Sequence, residues 1–229
     1  MDENLQQSFL RFCKFNQFEI NPKQAEIINL LEKFISTKKK LFNIFKKNRR
    51  LCFYLHGGVG VGKTMLLNFF YNNIKIKKNR MHFNEFMINF HDYTFQNKDK
   101  ENGIDNFVKD LSKKAEILYF DEFQVTNIVD AMILGKLFKT IFEKKIKVIF
   151  TSNIFINDLY KDGLQRDQFI PFLKVLEKNC YQKELLIFED YRSGANVNLE
   201  RFLFPINEST NFRLNKYFRK ITKNKKKTS

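Results

Sequence analysis

The stretch Gly57-Gly58-Val59-Gly60-Val61-Gly62-Lys63-Thr64 decides the fold. It meets the pattern G-x-x-x-x-G-K-[ST] at every fixed position. Glycines let the backbone curl tightly, so that successive N–H groups point inward at a phosphate chain where side chains would obstruct. The helix that follows adds the partial positive charge of its N-terminus. On this reading Lys63 reaches the β- and γ-phosphates and the Thr64 hydroxyl takes one Mg2+ position. The flanks agree with it. Leu51-Cys52-Phe53-Tyr54-Leu55 suits a buried strand, and Met65-Leu66-Leu67-Asn68-Phe69-Phe70 reads as a helix. A strand, a glycine loop and a helix predict an α/β protein of the P-loop nucleotide-binding class.

A second signal lies further along, at Ile117-Leu118-Tyr119-Phe120-Asp121-Glu122. Four apolar residues ending in two carboxylates describe a strand buried on both faces whose C-terminal end opens into a site. Asp121 would hold Mg2+ through water, and Glu122 would polarise an attacking water as general base. The chain between Lys63 and Asp121 has room for one more strand and helix. Arg80-Met81-His82-Phe83 supplies that strand and Asn84-Glu85-Phe86-Met87 opens that helix, with His82 read as a satisfied strand histidine rather than a catalytic base. Residues 97–106 are polar and read as a surface loop.

Further elements follow by periodicity. Residues 128–142 form a helix whose core face is Met132, Leu134, Leu137, Phe138 and Ile141. Lys147-Val148-Ile149-Phe150 is the next strand, ending at Thr151-Ser152-Asn153, and the Asn153 amide at its tip is placed to feel a γ-phosphate. Residues 158–162 read as a short helix stopped by Gly163, residues 164–169 open another, and residues 184–188 form a fifth strand. Near the start, Asn21-Pro22-Lys23-Gln24 marks a helix start, with an apolar stripe of Ile27, Leu30, Leu31 and Phe34 behind it.

The 229 residues suit one α/β domain with added segments, and 43% hydrophobic against 29% charged residues excludes a disordered chain. No run is apolar and long enough to cross a bilayer. Met1-Asp2-Glu3-Asn4 has neither a signal core nor the character of a presequence. Cys13, Cys52 and Cys180 are scattered, odd in number and without metal or redox spacing, which points to a reducing compartment, the cytosol. The formal net charge is +16, concentrated in residues 37–50 (seven basic, no acidic) and 213–229 (eight basic, no acidic). Two readings stay open: codon bias from an AT-rich genome, or contact with nucleic acid or an anionic membrane surface.

Residues 21–192 resemble the ZapE-like cell-division ATPases of bacteria and their mitochondrial relatives. The resemblance rests on GGVGVGKTMLLNFFY (57–71), HFNEFM (82–87), YFDEFQVTNIVDAMILGKLF (119–138), TSN (151–153), GLQRDQFIPFL (163–173) and DYR (190–192). It implies an AAA+ fold with a five-stranded, mainly parallel sheet of order 5-1-4-3-2. It also implies ATP and Mg2+ as cofactors, ATP hydrolysis and nucleotide-dependent homo-oligomers. For the bacterial family the implied partner is the tubulin-like division protein FtsZ near the inner membrane. On that pattern Asn153 is the sensor 1 residue and Arg166 the arginine finger. The expected organisation is a helical and basic lead-in (1–50), a P-loop core (51–192) and a short basic segment (193–229). Family members run on further past the DYR triplet into a helical region, so an open site with weak, poorly base-selective nucleotide binding and slow turnover is expected here. The rival readings are a nucleic-acid-binding loader, in which the basic blocks track a phosphate backbone, and a nucleotide-binding scaffold that does not hydrolyse.

Overall fold

The computed structural model describes residues 4–18, 20–36, 50–97, 102–126 and 128–186. Residues 187–229 lie outside the described residues, and with them the basic segment 213–229 and the triplet Asp190-Tyr191-Arg192. The basic segment 37–50 also lies outside them, apart from Arg50.

In chain order the elements are α1 (Leu5–Phe15), α2 (Pro22–Ile35), β1 (Cys52–His56), α3 (Lys63–Asn73), β2 (Lys78–His82), α4 (Phe83–Gln96), α5 (Gly103–Lys114), β3 (Ile117–Asp121), α6 (Ile128–Glu143), β4 (Lys147–Ser152), α7 (Ile170–Asn179) and β5 (Cys180–Glu184). Two single 3-10 turns, Ile156–Asp158 and Arg166–Gln168, bridge β4 to α7. As the Asn-Pro signal predicts, α2 starts with the Asn21 side chain accepting from the Lys23 N–H and Pro22 in the first turn.

All five strands pair in parallel in the order β2-β3-β4-β1-β5, the order that the family resemblance implies. The three inner strands are buried almost throughout, because helices cover both faces. Alternate residues serve opposite layers. Cys52, Tyr54, Leu118, Phe120, Val148 and Phe150 face the layer of α4, α5, α6 and α7. Phe53, Leu55, Ile117, Tyr119 and Ile149 face the layer of α1, α2 and α3. In that second layer the Phe9 ring meets Phe69 edge-on at 5.1 Å, which fastens α1 to the helix after the glycine loop. The first layer is a stack of phenylalanines. Phe138 on α6 is fully buried, with its ring 5.4 Å from Phe150, 5.4 Å from Phe172 and 6.0 Å from Phe120.

Several expectations need correction. The fifth strand is Cys180–Glu184, four residues before the apolar run assigned to it, because an edge strand with only its first residue buried has no use for hydrophobic side chains. Cys52 and Cys180, read as scattered thiols of a reducing compartment, face each other across β1 and β5 and are bonded as a disulfide, so their scatter no longer points to such a compartment, while Cys13 is free and buried. Residues 103–106 belong to α5 rather than to a loop. Met132 is 57% exposed, on the solvent side of α6, while its four companions are buried. His82 does end strand β2, but it is exposed there, where α4 begins. The segment 158–162 is the end of a 3-10 turn followed by a run of turns, and α7 starts only at Ile170. Arg50 is no free cation, since it donates to the Cys180 carbonyl (2.9 Å) and lies over the Tyr181 ring.

Where β1 leaves the sheet, Gly57 adopts φ +152°, and a Cβ there would stand 2.3 Å from the Leu185 carbonyl oxygen, a backbone atom. Gly57→Ala therefore has to move the chain after β5, and we expect it to cost about 2 kcal/mol or more, read as a lowered denaturation midpoint. Phe138→Ala should cost about 3–5 kcal/mol in urea unfolding, since five neighbouring rings cannot close over the gap. A loss below about 1 kcal/mol would show that the layer repacks.

Candidate functional site

Parallel pairing puts the C-terminal ends of β1, β3 and β4 side by side, which is where an open α/β sheet keeps its ligands. β4 lies between the other two, so the residues after it stand between the glycine loop after β1 and the carboxylates at the end of β3. The result is a cavity of about 270 Å3 lined by Val59 to Met65, Asp121, Glu122 and Thr151 to Asn153.

The loop wraps the N-terminus of α3. Gly62 caps the helix in the left-handed region, at φ 87°, and Gly60 is also left-handed, at φ 79°. Beneath the loop, the Gln24 side chain from α2 donates to the Val61 carbonyl at 3.1 Å. Gln24 is buried and its other amide atom, Oε1, has no hydrogen-bond partner in the structure.

Lys63 points back under the loop. Its ammonium donates to the carbonyls of Gly57 (2.6 Å) and Gly58 (2.7 Å) and to Asn153 Oδ1 (2.9 Å). An ammonium has three hydrogens, so all of them are engaged. Burial lowers its pKa, and the nearby Asp121 charge works the other way. The lysine of the loop and the asparagine at the tip of β4 are thus joined directly.

Asp121 is almost fully enclosed. Its Oδ1 accepts from Thr151 (2.7 Å) and Tyr119 (3.1 Å), and its Oδ2 accepts from Arg80 (2.6 Å). Burial alone would raise the carboxyl pKa. The hydrogen bonds from Arg80, Thr151 and Tyr119 outweigh it and hold the group below the usual carboxylate range. Glu122 is exposed, sits in the left-handed region at φ 52° and donates its N–H to Thr151 Oγ1 at 3.1 Å. A non-glycine residue in that region carries local strain, held here by the Thr151 bond and by the Phe123 N–H to the Thr151 carbonyl (2.7 Å). Thr64 is exposed at the mouth.

Among the described residues no three His, Cys, Asp or Glu side chains form a metal cluster. A divalent cation here would therefore take most of its ligands from phosphate and water. That suits Mg2+, with the Thr64 hydroxyl and the Asp121 carboxylate on its protein side.

Arg166 is not part of this cavity. Its guanidinium donates to the carbonyls of Leu159 (3.1 Å) and Asn157 (2.6 Å) and ties together the loop before α7. Three residues at the site escaped the sequence reading. Besides Gln24 and Arg80, His56 ends β1, buried, with its ring 4.2 Å from that of Phe155 and a hydrogen bond to Gln182. Burial depresses the His56 pKa, with Lys63 adding to this and Glu184 opposing it. Only its position next to Gly57 could have drawn notice.

The family model of the AFG1-like ATPases matches residues 17–229. The cell division protein ZapE of Escherichia coli is 32% identical over 177 residues, covering 77% of this chain and 47% of ZapE. An uncharacterized Schizosaccharomyces pombe protein is 35% identical over 161 residues, 67% of this chain and 36% of its own length. The lactation elevated protein 1 homolog B of Danio rerio is 37% identical over 153 residues, 62% and 30% respectively. The chain thus spans less than half the length of the curated relatives it matches. Solved structures overlay loosely: the crystal structure of DnaI reaches a TM-score of 0.49 at 18% identity over 76% of this chain and 87% of its own. The fold assignment accordingly stands on the strand order and the glycine loop. No described helix is long and apolar enough to cross a membrane. With the family model spanning both the glycine loop and the acidic strand end, the chain belongs to the AFG1-like ATPase family.

Proposed function

We propose that this chain binds and hydrolyses Mg2+-ATP and couples the nucleotide state to the remodelling of a protein partner. The observation that supports this best is the meeting of Lys63, Asn153, Asp121 and Glu122 around one glycine-loop cavity. Incoming phosphate oxygens compete with the Gly57 and Gly58 carbonyls for the Lys63 ammonium, and the loop N–H groups and the α3 N-terminus complete the cradle. Asn153 then shares Lys63 with the γ-phosphate and senses whether that group is present. Glu122 orients and polarises the attacking water as general base. Mg2+, when bound, would neutralise charge on the β- and γ-phosphates from the side of Thr64 and Asp121.

Arg166 belongs to this reading as a group that acts on the nucleotide of a neighbouring copy, released from the Leu159 and Asn157 carbonyls on assembly. The relative named as a cell division protein directs the partner assignment toward the division machinery. FtsZ, which the family resemblance implies, is the partner we propose, met in the cytoplasm at the inner membrane. The loader reading has less support, because the relative with a named role is a cell division protein.

Two variants test the site. Lys63→Ala should weaken ATP binding about tenfold to a hundredfold in calorimetry, the value of charge-assisted hydrogen bonds to phosphate. Unchanged affinity would overturn the assignment. Glu122→Gln should bind ATP as the parent does but turn it over about a hundredfold more slowly or worse in a phosphate-release assay. Equal losses in binding and turnover would make Glu122 a metal ligand or a structural residue.

A further inference from the structure

Arg80 carries no motif, yet it is the nearest fixed cation to the carboxylate on the metal side of the site. It sits on edge strand β2, level with Tyr119 in the register. One guanidinium nitrogen donates to Asp121 Oδ2 at 2.6 Å, another donates to Asn68 Oδ1 on α3, and the group lies over the Tyr119 ring, 4.9 Å from its centroid. The Arg80 side chain is 31% exposed and that of Asp121 is 8% exposed, so the pair is only partly screened by water.

The acceptors of Asp121 can be counted. An ionised carboxylate offers about four lone-pair positions. Thr151 and Tyr119 take two on Oδ1, and Arg80 takes one on Oδ2. A single position on Oδ2 remains, beside a guanidinium. A divalent cation placed directly on it would meet a like charge. A water belonging to that cation meets no such penalty and donates to Oδ2 as a neutral group. Asn68 and Tyr119 keep the guanidinium from swinging away, because its other nitrogen and its flat face are both engaged.

We infer that Arg80 is a positioning residue for the metal side of the nucleotide site: by holding Asp121 Oδ2 it keeps the carboxylate at one remove from the nucleotide-bound divalent cation and weakens the grip on that cation. This rests on the Mg2+-ATP reading. Arg80 touches neither nucleotide nor metal and acts through Asp121. A purely structural ion pair behaves in the opposite way, since losing it would loosen β3 and weaken metal binding.

The test uses the full chain with a slowly hydrolysed ATP analogue and Mn2+ as the probe, the free ion being followed by electron paramagnetic resonance. Arg80→Met should tighten Mn2+ binding to the protein–nucleotide complex about three- to tenfold, the effect of removing one partly screened charge. Affinity for the analogue without metal should change little. Arg80→Lys, which keeps a cation near Asp121, should stay within about twofold of the parent. Asn68→Ala frees one anchor of the guanidinium and should tighten Mn2+ by less than Arg80→Met does; it carries the test alone if Arg80→Met does not fold. Mn2+ affinity unchanged or weakened in Arg80→Met and Asn68→Ala, with the parent binding both Mn2+ and analogue, overturns the role of Arg80 alone. A parent that binds neither overturns the nucleotide reading and this inference with it.

Discussion

Strand β4 is hydrogen-bonded to β1 on one side and β3 on the other, and the site depends on that double pairing. Its register sets Ser152 opposite His56 and Phe150 opposite Phe120. One residue past β4, Asn153 arrives at the Lys63 ammonium; one residue before its end, Thr151 arrives at the Asp121 carboxylate. A slip of one residue would turn each side chain to the other face of the sheet. Val148 and Phe150 lie in one apolar layer and Ile149 in the other, so a slip would also exchange those layers. Core packing and site geometry are thus fixed by the same ladder.

Lys63 and Asp121 are charged groups placed where charge is costly, and each is kept ionic by three hydrogen-bond partners. Three acceptors surround the ammonium and three donors surround the carboxylate. Thr151 takes part twice, donating to Asp121 and accepting from the Glu122 N–H. Hydrogen bonds already hold both side chains, so little ordering is left for the moment a ligand arrives.

Much of this was legible in the sequence wherever burial and chemistry coincide. The glycine loop, the apolar strand ending in Asp121 and Glu122, and the strand ending at Asn153 all have inner strands that must be apolar and tips that must be polar. Edge strands escape that logic. β5 is Cys-Tyr-Gln-Lys-Glu, and hydropathy led to the apolar residues beyond it, although Leu185 is buried outside the strand. The same misplacement hid the disulfide. The expected strand order already set the first and fifth strands side by side, but only the true start of β5 brings Cys180 level with Cys52. Arg80 was hidden for a related reason: on an edge strand an arginine reads as a solvated charge, and nothing local in its sequence reveals that it reaches Asp121. Met132 falls on the right helical period, yet α6 turns it to solvent, because a period fixes the spacing of a stripe and not its width.

The composition of the core has a thermodynamic consequence. The chain has 28 phenylalanines and no tryptophan, and the five rings that meet Phe138 are all phenylalanines, without a polar atom. Apolar surface of this kind raises the heat capacity of the unfolded chain with little polar surface to offset it. Stability then follows a sharply curved function of temperature, with enthalpy and entropy of unfolding both changing steeply. Such a protein loses hold of its native state on strong cooling as well as on heating, and the temperature at which its sheet is firmest lies well inside those two limits.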